Sequence, residues 1–221
     1  MVKAYILYAK NGDENLLDIT FTDARFMANL SWTGEELYSL IRSQTDDSYH
    51  IWWMSADSGQ ERSASLELPA DSLATAIFTY MEQDLLHLIV QCPSSLYVYE
   101  QDGENFNLKS GFPFVLADST SSPVSICDID RNGSLDLILA TSNRLYIIDQ
   151  TGSNLALASL ELGVDPDAVA AGVLVQDLDG DLRPELAGAF SFNRMVMWEE
   201  TLRIASGYPV SFGARARFMP F

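Results

Sequence analysis

The chain has 221 residues, 48% of them hydrophobic and 20% charged, a globular composition that argues against extended disorder. Thirty-one acidic residues against thirteen basic ones give a formal charge of −18; such a surface repels nucleic-acid phosphates and anionic lipids, attracts divalent cations and basic partners, and also serves solubility. The apolar runs are short and interrupted, none near the ~20 residues that cross a bilayer, so neither a nucleic-acid partner nor membrane insertion is expected.

The amino terminus, Met1-Val2-Lys3-Ala4-Tyr5-Ile6-Leu7-Tyr8, reads as a strand and lacks the long apolar stretch and cleavage site of a signal peptide. Either the chain is cytoplasmic, or a leader and upstream sequence have been removed; the repeat described next favours the second. Strands are predicted at 4–9 and 16–21, as the last two of a partial unit over about 1–21. The next unit, about 22–70, has strands at 25–32, 37–41 and 50–54. Two further units follow, about 71–118 and 119–166, the latter with strands at 123–129, 135–140, 144–149 and 155–162. The last full unit covers about 167–213, and 214–221 opens another with a strand at 215–221. These segments are rich in Val, Ile, Leu and Tyr and bounded by Gly, Asn, Asp and Ser. No helical period is evident.

The units are copies of one pattern. His87-Leu88-Ile89-Val90, Asp136-Leu137-Ile138-Leu139 and Glu185-Leu186-Ala187-Gly188 follow one another at steps of 49 residues. Leu96-Tyr97-Val98-Tyr99-Glu100-Gln101-Asp102-Gly103 matches Leu145-Tyr146-Ile147-Ile148-Asp149-Gln150-Thr151-Gly152 at the same step, and Gly111-Phe112-Pro113 recurs as Gly207-Tyr208-Pro209. Asp102-Gly103 and Thr151-Gly152 mark hairpins between third and fourth strands. The second strand of each unit is almost wholly apolar, as expected where both faces are buried. Four-stranded units of this length predict an all-β chain, a β-propeller of antiparallel blades forming one domain over 1–221. It holds about five blades if the partial ends share one by circular closure, or is otherwise a segment of a larger propeller. Cys92 and Cys127 lie at non-equivalent repeat positions and are expected to be buried free thiols.

Two loops carry chemistry. One is Asp128-Ile129-Asp130-Arg131-Asn132-Gly133-Ser134-Leu135-Asp136, the other Asp177-Leu178-Asp179-Gly180-Asp181-Leu182-Arg183-Pro184-Glu185. Side-chain oxygens fall at positions one, three, five and nine of both. Alternate residues of a tight loop can point to a common centre, so three short Asp or Asn side chains converge. The position-seven carbonyl (Ser134 or Arg183) and the position-nine acid add ligands. Calcium takes six to eight oxygens, and no Cys or His cluster offers a softer metal an alternative. Two calcium sites are therefore expected. Gly133 and Gly180 supply backbone freedom. The equivalent stretch of the second full copy, Thr79 to His87, has lost the third-position donor and ends in histidine, and the earlier copy ends in Tyr38. No calcium is expected in either.

The start of each loop resembles that of an EF-hand, but strands replace the helices and the twelfth-position Glu is missing. The whole pattern, with its Gly-Phe-Pro and Gly-Tyr-Pro ends, resembles the FG-GAP and VCBS repeats of integrin α-subunit propellers and bacterial surface proteins. In these a D-x-D-x-[DN]-G-x-x-[DE]-type loop joins two propeller strands and binds calcium. The resemblance covers about residues 75–212, and 1–60 by strand pattern alone. It implies a non-enzymatic, calcium-stabilised interaction module of an exported or cell-surface protein, part of a larger multidomain chain, with a protein or glycan ligand. The alternative is a polysaccharide-acting propeller enzyme or carbohydrate-binding accessory domain.

Little else points to catalysis. His50 and His87 sit in different units without a nucleophile motif, and no Gly-x-Ser-x-Gly, P-loop or His-Glu-x-x-His occurs. Trp32, Trp198, Tyr97, Tyr99 and Tyr146 are expected between sheets. Trp52 and Trp53 are adjacent in a strand, so one of them is expected to face outward as a ligand surface.

Overall fold

Apolar runs punctuated by turn residues become strands along the chain. The computed structural model describes residues 2–10, 13–21, 24–69, 71–141, 144–155, 170–178, 180–181, 183–190, 194–198, 203, 205–208 and 210–211. β1 (Val2–Lys10) and β2 (Asp13–Phe21) pair as an antiparallel hairpin. β3 (Ala24–Trp32), β4 (Glu36–Ser43), β5 (Tyr49–Ser55) and β6 (Glu61–Leu66) form a sheet in chain order. β7 (Ala76–Glu82), β8 (Leu85–Cys92), β9 (Ser95–Asp102) and β10 (Asn105–Leu108) repeat that meander, and β11 (Phe114–Val115) adds a short antiparallel pairing to β9. β12 (Ser125–Cys127), β13 (Asp136–Ala140) and β14 (Leu145–Ile148) make the next sheet. β15 (Ala170–Gln176), β16 (Glu185–Phe190), β17 (Arg194–Trp198) and β18 (Val210–Ser211) make the last. The described residues are all-β, in small antiparallel sheets.

The expected strands are found wherever the residues are described. The strand expected at 155–162 lies outside them beyond Leu155, as do the whole of 215–221 and residues 212–214. Asn154 bridges to Ile148 where that strand would begin. Both cysteines are free, with Cys92 buried and Cys127 half-buried.

The chain divides into two compact units, Met1–Val90 with Tyr99–Leu108, and Gln91–Val98 with Lys109–Phe221. In the first, Trp53 stacks on Tyr38, with ring centroids 6.3 Å apart, and meets Phe106 edge-on at 5.5 Å. Trp52 is 4% exposed and Trp53 0%, so neither forms an outward surface. Alternation exposes every second residue only where one face of a sheet meets water, and β5 is buried on both. Trp32 is the exposed tryptophan among the described residues, at 52%. In the second unit, Ile138, Ala140, Leu145 and Ile147 pack with Val173, Leu186, Val196 and Trp198 in one cluster.

Successive sheets are joined by side chains at the first strand. Asn29 on β3 donates its amide to the Ile77 carbonyl at 2.8 Å and accepts from the Ile77 N–H at 2.7 Å. Ser31 accepts from the Thr79 N–H at 3.0 Å. In the second unit Ser125 on β12 donates to the Val173 carbonyl on β15. Asn29–Ile77, Ser31–Thr79 and Ser125–Val173 all span 48 residues. Asn29→Ala removes both bonds to Ile77 and is expected to cost about 1–2 kcal/mol in urea denaturation. Asn29→Asp, which retains only an acceptor, should recover part of it.

Candidate metal centre

The first loop is a set of turns stapled by its own acids. Asp128 accepts from the N–H groups of Asn132 (3.0 Å) and Gly133 (2.9 Å). Asp130 accepts from the Asn132 N–H at 3.1 Å and from its side-chain amide at 3.1 Å. Asn132 Oδ1 accepts from the Ser134 N–H at 2.8 Å. Short oxygen-bearing side chains favour such local bonds over continued ladder pairing, which is why β12 stops at Cys127 and β13 begins at Asp136. Ile129 points the other way and packs with Cys127 against the core of the second unit. The alternation therefore separates charge from apolar anchor.

One carboxylate oxygen from each of Asp128, Asp130 and Asp136 lies within 4.8 Å of the other two. Asp128 is half-buried, Asp130 exposed and Asp136 0% exposed. One oxygen of Asp136 accepts from the Ile129 N–H at 3.0 Å. The other, Oδ1, is buried without a hydrogen-bond partner. Burial, followed by the charges of Asp130, Asp128 and Asp149, pushes this carboxyl up to about 6, while the Ile129 N–H opposes the rise. Leaving a buried acceptor unmet is costly. Hard oxygen donors that converge on one point are what a divalent ion of calcium type satisfies. Asp128, Asp130 and Asp136 could therefore hold such an ion, with Asn132 and Ser134 beside them by position in the loop.

The second loop repeats the key staples. The Leu178 N–H donates to Glu185 at 2.6 Å, as Ile129 does to Asp136, and the Arg183 N–H donates to Asp181 at 2.8 Å, as Ser134 does to Asn132. Glu185 is buried, Asp177 half-buried and Asp181 exposed. Asp177 accepts from the Gly180 N–H at 2.7 Å. Asp179 and Leu182 lie outside the described residues. The glycines expected to serve one role occupy different positions. Gly180 is fourth in its loop, at φ 85°, where the first loop places Arg131 at φ 60°; Gly133 is sixth, at φ 88°.

In the stretch Thr79 to His87 there is no loop to hold an ion. β7 runs through Glu82 and β8 starts at Leu85, leaving a two-residue turn with Gln83 and Asp84 at φ 51° and 65°. His87 is buried where the other copies place their final acid. Its ring stacks on Tyr80 with centroids 4.7 Å apart, and its two nitrogens lie 3.8 Å from Glu82 and 4.0 Å from Glu100. His50 meets the Ser48 hydroxyl at 2.8 Å. The histidines thus stand apart from each other, each within its own strand's surroundings.

Sequence reasoning passed over Asp149, whose charge bears on Asp136. Its Oδ1 accepts from the N–H groups of Thr151 (2.8 Å) and Ser153 (2.9 Å) and the Thr151 hydroxyl (2.7 Å). Burial acts to raise its carboxyl, but these bonds prevail and hold it below the usual range. The signal was present as an Asp two residues before a Thr-Gly turn. No protein-family model matches the chain, and the search of curated proteins gives no match.

Proposed function

We propose that this protein is a non-enzymatic interaction module whose β-sheet repeats are fastened by calcium, built as a propeller of FG-GAP/VCBS type and belonging to an exported or cell-surface protein. The buried, unpartnered Asp136 Oδ1 beside Asp128 and Asp130 carries the reading. Four-stranded meanders joined at the same point of the repeat support the propeller part. In this reading Asp128, Asp130, Asn132, Ser134 and Asp136 hold one ion. Asp177, Asp179, Asp181, Arg183 (through its carbonyl) and Glu185 hold a second. Each ion supplies positive charge to a carboxylate cluster, and the chain's own residues set its position and exclude water from the ninth-position acid. The role is structural, since the acids are committed to stapling their loops.

A cation that binds only the folded state stabilises by mass action, by about 2.7 kcal/mol per site at a hundredfold excess over Kd. For a chain of this size that is a rise in Tm of about 5–10 °C. Calcium titration of metal-free protein, followed by thermal melting, should show it, and Asp130→Ala with Asp179→Ala should remove it. An unchanged Tm on adding calcium to the unsubstituted protein would sink the proposal.

A further inference from the structure

The first compact unit carries a cavity of about 350 Å³ with three acids on its lining, Glu35, Glu36 and Asp84, and no basic residue among the described residues that line it. It lies at the β3–β4 and β7–β8 turns, the places where the second unit has its acid loops. Glu35 and Asp84 are exposed, while Glu36 is half-buried and accepts from the Tyr38 hydroxyl. The remaining wall is mixed, with Thr33, Tyr38 and Gln101 polar and Met81, Leu85 and Leu86 apolar. Met81 and Leu85 line the cavity and are 51% and 36% exposed, so it offers accessible apolar contact beside its acids.

We infer that this cavity is a docking pocket for an extended peptide of a partner protein, taking one arginine or lysine side chain together with a flanking apolar residue. The acids match a cationic head, and Met81 and Leu85 match an aliphatic stem and its neighbour, as basic side chains bury their stems while keeping the head near polar groups. The volume lies at the lower end for ligand pockets, enough for one or two side chains. The chain's charge of −18 speeds the approach of a basic segment. The pocket does not use the acid loops of the second unit, so the inference stands or falls apart from calcium binding.

The test is fluorescence anisotropy of a labelled Gly-Leu-Arg-Leu-Gly peptide with the full chain at physiological salt, beside peptides with Arg replaced by Gln or both Leu by Ser. Saturable binding at least ~10-fold tighter for the parent peptide than for either relative is expected. Glu35→Gln with Asp84→Asn should weaken it about tenfold, whereas Glu67→Gln with Asp71→Asn, an equal charge change at exposed positions off the pocket, should leave it unchanged. Circular dichroism checks that each variant is folded. Equal weakening by both double variants, indifference to the Leu→Ser change, or no saturation would each overturn the inference in favour of diffuse attraction to an acidic chain.

Discussion

Gly111→Ala is expected to destabilise the fold by about 4 kcal/mol, close to the limit for a single added methyl. Gly111 sits at φ 91°, and a Cβ there would lie 1.9 Å from the Thr151 carbonyl oxygen and 2.7 Å from its carbon. These are backbone atoms of the turn after β14, so no side chain can swing aside. That turn is itself held by three bonds to Asp149. Gly152 faces back, and its own Cβ would meet the Gly111 oxygen at 2.3 Å. The two glycines form a close backbone crossing that admits no side chain from either direction. Gly207 provides the control. It stands at the same point of a later repeat with nearly the same φ, 92°, but among the described residues nothing lies within 4 Å of its Cβ position. Gly207→Ala should therefore carry only the conformational cost, about 1 kcal/mol. Urea denaturation of the two variants would measure the difference, and equal losses would refute the crossing as the cause.

The second large effect concerns Asp136. Its carboxyl is raised to about 6 in the metal-free fold by burial and by Asp130, Asp128 and Asp149, against an ordinary value of 3.8. A raised value means that the fold prefers the protonated acid. Its contribution is favourable below about pH 4, is lost as pH rises through 6, and leaves a penalty of about 3 kcal/mol at neutral pH. Metal-free protein should lose that much stability between pH 4 and 7 relative to Asp136→Asn, which cannot ionise. Asp149 works in the opposite direction, since its lowered carboxyl favours the fold above the ordinary range, so the comparison with the variant isolates Asp136. Saturating calcium should flatten the difference. A parallel pH dependence in the two metal-free proteins would show that the buried carboxyl is not strained.

Much of this was legible in the chain. The strand pattern was readable because Val, Ile, Leu and Tyr cluster between turn residues at a fixed spacing, and the acid loops because Asp and Asn fall on alternate positions before an apolar strand. Other features depend on distant surroundings. Trp52 and Trp53 are both buried because β5 is covered on two faces, which local alternation does not encode. The loss of the loop at Gln83-Asp84 came from strand formers such as Phe78 and Tyr80, which extend β7 to a two-residue turn. The Asp136–Asp149 influence joins different turns of one sheet, and the Gly111–Thr151 approach joins neighbouring repeats. Neither has a spacing that a pattern could reveal.

The joints between sheets have a consequence for how such a chain can change. Asn29 and Ser125 bond to peptide groups of Ile77 and Val173, not to their side chains. A joint that recognises only main chain leaves the neighbour's residue identity free to drift. At these bonds a duplicated unit would be accepted at once, provided that it kept its strand at the same offset, while the hydroxyl contact of Ser31 with Thr79 at 2.7 Å adds a preference for a hydroxyl there. This explains how one copy could carry Thr79, Met81 and His87 where another has Asp128, Asp130 and Asp136 while remaining stacked beside its neighbour.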